Sequence, residues 1–114
     1  MAYSAGCVTP VPETAAMTDR CLVVIHSPGP AWEPGLPLTQ QLGVGEHRAH
    51  YAKLAAQGLL RLGGPFADGA GGGMMVFKPG MDEDTLRTHA LTDPAVESGL
   101  LQFEIRPWAI ALEG

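Results

Sequence analysis

The sequence predicts an α+β fold, and three observations predict it. Four short runs, at residues 21–26, 59–63, 74–78 and 100–112, are continuously apolar or alternate apolar with polar, as strands do. Two segments, near 44–57 and 82–92, carry helical stripes and helix boundary signals. The second and third strands are joined by a glycine-rich hairpin connection, whereas each helix sits between two strands. The order β-α-β-β-α-β, with two right-handed crossovers, is the ferredoxin-like arrangement: one antiparallel sheet with two helices on one face.

Each element has a local reason. Residues 21–26 are rich in β-branched side chains and read as a strand buried on both faces, ending at His26. Residues 27–41 hold Pro28, Pro30, Pro34 and Pro37 and form a long loop. Trp32, in its middle, needs a place to dock. In the first helix His47, Tyr51, Leu54 and Gly58 follow steps of four, three and four, so they share one face. Gly58 stops that helix, and the second strand ends at Gly64-Pro65. Asp68-Gly69 marks the hairpin turn. Asp82 can cap the second helix, with Glu83 and Asp84 at its positive end. Pro94 restricts Asp93 and ends or bends the helix there. In the last strand Leu101, Phe103 and Ile105 alternate with Gln102, Glu104 and Arg106, and Pro107 argues for an edge position or a bulge.

The chain has 114 residues, enough for one core. Residues 1–20 carry Pro10, Pro12 and Glu13 and no apolar periodicity. They read as a flexible N-terminal extension before a domain at 21–114, with Met17 a candidate alternative start. A net charge of −5 with seven Lys and Arg, and no basic patch, argues against nucleic-acid binding. No apolar run spans a bilayer, so no membrane partner is expected and a cytoplasmic location is. Cys7 and Cys21 make neither a disulfide framework nor a metal pair, and Cys21 reads as a small buried hydrophobe. Because two helices cover one sheet face while the first and third strands are apolar on both, a second copy of the chain is expected on the other face: a homodimer with its sheets face to face.

Three groups are candidates for one site: His47 in the first turn of the first helix, Asp93 at the end of the second, and His26 at the end of the first strand. A carboxylate bonded to one imidazole nitrogen sets the tautomer and leaves the other nitrogen free as acid or base. An Asp before Pro at a helix end can equally well just satisfy backbone donors. His47 and His50 lie three apart, which on a helix turns the rings roughly 60° from one another, and no His-Glu-x-x-His or Cys cluster accompanies them, so no metal is expected. His89 reads as a solvated helix position. The glycines at 69 and 71–73 precede a strand and lack a Lys-Ser/Thr pair, so they are a hairpin and not a phosphate loop.

From residue 21 to 111 the chain resembles the YciI-like (YCII-related) family. The residues that carry the likeness are His47, Gly58, Gly64-Pro65-Phe66, the glycine run before the third strand, Asp93-Pro94, Gly99 and Arg106-Pro107-Trp108, in that order and spacing. The resemblance implies a dimeric α+β barrel with a ferredoxin-like protomer and a cavity holding a His–Asp pair, which maps onto His47 and Asp93. One relative in that family is a dehydrochlorinase of a chlorinated hydroxyhydroquinone. The Pro-rich loop with Ser-Pro-Gly-Pro-Ala-Trp and Ala95 after Asp93-Pro94 depart from the family pattern, so substrate identity does not transfer.

The expected function is that of a small cofactor-free acid–base enzyme of lyase, dehalogenase or isomerase type. Its catalytic pair would be His47 and Asp93, its substrate a small cyclic or aromatic molecule. His26, Trp32, Gly64, Pro65, Phe66 and Trp108 are the expected substrate-binding residues. The alternative is a non-catalytic dimeric module that binds a small ligand in the same cavity.

Overall fold

The structure, a computed structural model, describes residues 20–113. Its elements are β1 (Arg20–Pro28), a single 3₁₀ turn (Leu38–Gln40), α1 (Val44–Ala56), β2 (Leu60–Pro65), β3 (Gly73–Phe77), α2 (Glu83–Leu91), α3 (Pro94–Glu97) and β4 (Leu101–Ala109). The strands form one antiparallel sheet in the order β2-β3-β1-β4, which is the ferredoxin-like topology. The proposed N-terminal extension and Cys7 lie outside the described residues, except that Arg20 already belongs to β1, opposite Ala109.

Local chemistry explains the boundaries. At the end of α1, Gly58 takes φ 77°, its N–H donates to Ala55 O, and Leu59 N–H donates to Leu54 O, a Schellman ending that only a left-handed residue closes cheaply. Asp82 caps α2 by accepting from Thr85 N at 2.9 Å. The short α3 is an addition to the expected element list. Pro94 forces Asp93 into extended geometry, φ −62° and ψ 123°, which ends α2; its own ring then presets the first helical position of the next turn. β1 likewise runs two residues past His26, because Ser27 and Pro28 pair with Gln102 and Leu101 of β4.

The main core lies between sheet and helices. Val24 of β1 and Phe77 of β3 pack with Tyr51 and Leu54 of α1 and Leu86 of α2. On the opposite face Cys21, Val23 and Val76 form a second apolar cluster with Ile25, Met74 and Ile110. β1 is thus buried on both sides, as its composition requires. β4 alternates, with Leu101 buried and Gln102, Glu104 and Arg106 exposed, and its Pro107 stands on an edge strand. Among the described residues, no helix packs on the second face. Register places Leu62 beside Val76 and Trp108 beside Cys21 on that face, where they are 59% and 48% exposed. After β4 the chain crosses toward the far edge of the sheet, where Glu113 pairs with Arg61.

The glycines before β3 allow close backbone approach. A Cβ on Gly72 would stand 2.1 Å from the carbonyl oxygen of His26, and one on Gly73 2.5 Å from that of Gly64. Gly72 also takes φ +80°. Gly80, at φ +91°, has open space around it. Gly80→Ala should therefore cost about 1–2 kcal/mol, the strain of the left-handed region alone. Gly72→Ala should cost roughly 3 kcal/mol, because the clash adds to the strain. Urea denaturation of both variants checks this; equal losses would mean that the loop swings clear of His26.

Candidate functional site

The site forms where three elements meet under the helix face of the sheet. β1 points His26 to the same side as Val24, opposite Gly73 on β3 and Phe103 on β4. α1 brings His47 in its first turn, with Tyr51 and Leu54 on the same stripe. The α2–α3 junction supplies Asp93, which is fully buried.

Asp93 uses both carboxylate oxygens. Oδ1 accepts from Ala95 N at 2.9 Å and caps α3, while Oδ2 stands 2.6 Å from His47 Nδ1. The readings of Asp93 as backbone cap and as histidine partner thus hold together. His26 Nε2 lies 3.8 Å from the same Oδ2 and 3.5 Å from the Tyr51 hydroxyl. The His26 and His47 rings meet edge to face at 4.8 Å between centroids, and Tyr51 is 5.4 Å from each.

This environment sets the protonation states. Burial pushes the Asp93 carboxyl up, but the His47 hydrogen bond, the Ala95 N–H and the neighbouring imidazoles outweigh it and hold Asp93 below the usual carboxylate range. Burial, and then the nearby His47, push His26 down to about 4 against the pull of Asp93. Burial and the Asp93 charge raise the Tyr51 phenol. At neutral pH Asp93 is therefore ionised and His26 and Tyr51 are neutral. The 2.6 Å contact commits His47 Nδ1 as the donor to the carboxylate, so in the neutral tautomer Nε2 is the nitrogen with the lone pair.

A cavity of about 540 Å³ opens on this cluster. His26, His47, Tyr51 and Arg48 line it, with Leu38 and Thr39 of the Pro-rich loop, Val44, Leu60, Met74, Met75 and the backbone of Gly63, Gly64 and Pro65. Of the expected binding residues, His26, Gly64 and Pro65 lie on its wall. The three aromatic residues do not. Trp32 packs on Ala95, Leu100 and Leu101 and against Gly71, Phe66 is 44% exposed in the hairpin, and Trp108 lies on the helix-free face. Large apolar side chains were natural candidates for walls, but aliphatic groups and glycine backbone fill that role. The loop keeps its shape through Gln41, which is buried, accepts from Glu33 N, and donates to the carbonyls of Glu33 and Leu36. A lone Gln ending a Pro-rich stretch gave no signal of this.

His26, His47 and Asp93 are also the one His/Cys/Asp/Glu cluster among the described residues with metal-ligand proximity, their atoms lying within 4.8 Å of one another. The 2.6 Å contact is a hydrogen-bond distance, since two ligands of one tetrahedral zinc stand roughly 3.3 Å apart. His50 and His89 correct the sequence reading. His89 is not a solvated residue: its ring stacks on that of His50 at 3.8 Å, and His50 is buried.

No family model matches the chain, and no curated protein matches it. Among solved structures it is similar to the 5-chloro-2-hydroxyhydroquinone dehydrochlorinase TftG from Burkholderia phenoliruptrix AC1100, in complex with 2,5-dihydroxybenzoquinone. The TM-score is 0.54 at 20% identity, over 79% of this chain and 95% of that one. The likeness shows a shared fold, the ferredoxin-like arrangement of one antiparallel sheet and its helices.

Neutral His26 makes stability depend on pH. Its folded pKa of about 4 lies below the ordinary 6.5, so between those values the unfolded state binds the extra proton. Stability is then full above about pH 6.5 and falls as pH drops toward about 4, by roughly 3 kcal/mol. His26→Leu should flatten most of that slope in denaturation series across the window. An unchanged slope would show that His26 is protonated in the native state.

Proposed function

We propose that the cavity is an acid–base active site in which His47 moves a proton and Asp93 orients it, acting on a small cyclic or aromatic substrate. The observation that carries this reading is the 2.6 Å His47–Asp93 hydrogen bond at the cavity wall, which commits Nδ1 and frees Nε2. The buried carboxylate also stabilises the imidazolium that forms when Nε2 takes a proton. Apolar walls and a neutral His26 suit a ring that carries hydroxyl groups. Arg48, a guanidinium on the wall, offers a counter-charge to an acidic oxygen of such a ring.

Elimination of a hydrogen halide is the reaction this machinery serves best. A hydroxyl beside the halogen-bearing carbon gives up its proton while that carbon takes one, which forms a keto tautomer. The base then removes a second hydroxyl proton, the halide leaves with the carbon–halogen bonding pair, and the ring becomes a quinone with net loss of hydrogen halide and no external oxidant. The shared fold with a dehydrochlorinase supports this choice. Proton transfer by such a pair requires no cofactor.

5-Chloro-2-hydroxyhydroquinone is the probe. We expect chloride release with the wild-type chain. His47→Asn should lose it while keeping the fold, because the amide still donates to Asp93 but carries no base. His47→Ala should lose it and also cost about 1–3 kcal/mol, since it removes a partner of a buried carboxylate. Asp93→Asn should act like His47→Asn, and the double variant should be no worse than either single one. Chloride release by His47→Asn at the wild-type rate would end the proposal. A zinc titration is the companion control: stoichiometric binding would favour a metal site at His26, His47 and Asp93.

We further propose that the helix-free face is the interface of a homodimer. The support is the apolar cluster of Cys21, Val23, Val76 and Met74 with exposed Leu62 and Trp108 around it. Sedimentation at micromolar concentration should give a dimer, and Val23→Lys should shift it toward monomer. A monodisperse wild-type monomer overturns this.

A further inference from the structure

All four histidines of the chain lie around one side chain. The ring of Tyr51 is 5.4 Å from His26 and His47, 5.7 Å from His50 and 5.1 Å from His89. His26 and His47 belong to the cavity. The other two form a unit with no part in the proposed chemistry.

That unit is reciprocal. His50 Nε2 is 2.6 Å from the backbone oxygen of His89, and His89 Nε2 is 2.8 Å from the backbone oxygen of His50. A carbonyl only accepts, so each ring must carry its proton on Nε2. The two rings stack at 3.8 Å with 20° between planes, and Thr92 Oγ1 lies 3.4 Å from His50 Nε2. The hydrogen bonds tie α1 to α2. They lie one turn from the reacting pair on both sides: His50 is three residues after His47, and His89 four before Asp93. Among the described residues, the further side-chain hydrogen bond between α1 and the α2–α3 segment is His47–Asp93 itself.

We infer that His50 and His89 are positioning residues: a pH-sensitive clamp that sets the His47–Asp93 contact and loosens when its imidazoles become charged. The Nδ1 atoms are free to take protons, and two imidazolium rings cannot remain stacked at this distance without strong repulsion. The groups facing the pair are Lys53 and Tyr51 from α1 and Asp93 from the α2–α3 junction. Burial first, then the His50 ring and Lys53, hold His89 below its ordinary value, against the His50 carbonyl and Asp93, which favour its charge. As regulation of turnover the clamp rests on the acid–base reading of His47, but as a device for geometry it does not.

The test reads geometry. The full-length chain, labelled with ¹⁵N-histidine, is followed by NMR from about pH 8 to about pH 5. The observable is solvent exchange of the His47 Nδ1 proton, which protonation of His47 itself would leave bonded to Asp93. In the wild type, exchange should rise at least about tenfold as the clamp titrates. His50→Gln with His89→Gln supplies amide donors to the same carbonyls without a titratable group, and should keep exchange slow over the whole range. His89→Ala should speed it at every pH. If the glutamine variant fails to fold, the wild type still decides: the rise must share its midpoint with the ring signals of His50 and His89. The inference is overturned if the glutamine variant opens over the same pH range as the wild type, if His89→Ala leaves exchange unchanged, or if the midpoint follows another histidine. Chloride release in His47→Asn would remove the enzyme reading and leave these outcomes untouched.

Discussion

The site depends on one carboxylate with two obligations. A fully buried Asp93 is tolerable only because donors meet it from two directions, since an unpartnered ionised carboxylate there would protonate or unfold the region. Ala95 N–H comes from α3, and His47 from α1. Loss of either donor weakens the other, because the oxygens share one rigid group. The cap fixes the carboxylate plane, and the plane fixes the imidazole. Pro94 makes this possible by holding Asp93 extended while starting the next turn. The helix-ending signal Asp-Pro is therefore also the device that aims a carboxylate at His47 on the cavity wall.

The frame was legible in the sequence because it rests on local periodicity and punctuation. The strand runs, Gly58, the Asp82 cap and the edge-strand Pro107 each act within a few residues, and the structure puts them where those signals require. The His47–Asp93 contact was a different matter. The two residues are 46 apart in sequence, and no spacing rule joins a helix start to a distant helix end; the family resemblance suggested the pair. What stayed hidden follows from the same limit. His50 and His89 are 39 apart, and each alone looks like a polar residue on a helix surface. Their mutual donors go to backbone carbonyls, which every residue has, so no residue type betrays the partner.

The aromatic residues were misplaced for a related reason. Trp32, Phe66 and Trp108 are large and apolar, and such side chains must be covered somewhere, but size does not say by what. Trp32 found the surface above Ala95 and Gly71, where it braces the loop from outside the cavity. The space beside His26 was instead kept open by what is absent: side chains at Gly63, Gly64, Gly72 and Gly73. Two of these positions touch backbone so closely that no larger residue fits. The glycine run that reads as a loose hairpin is thus a tight packing feature where β2, β3 and β1 converge on the site.

Tyr51 connects the two histidine pairs. On one side its hydroxyl faces neutral His26, and on the other its ring packs against His50 and His89. Burial and the Asp93 charge both oppose its ionisation, so it stays a neutral wedge as the histidines titrate around it. A ring held on several sides transmits displacement better than a flexible chain, since close-packed interiors deform little. If α2 moves away from α1, Tyr51 loses its support from His89 while its contact with His26 remains. The histidine pair of the cavity and the packing of the helices are thereby linked through one side chain, although no hydrogen bond runs directly between the two pairs.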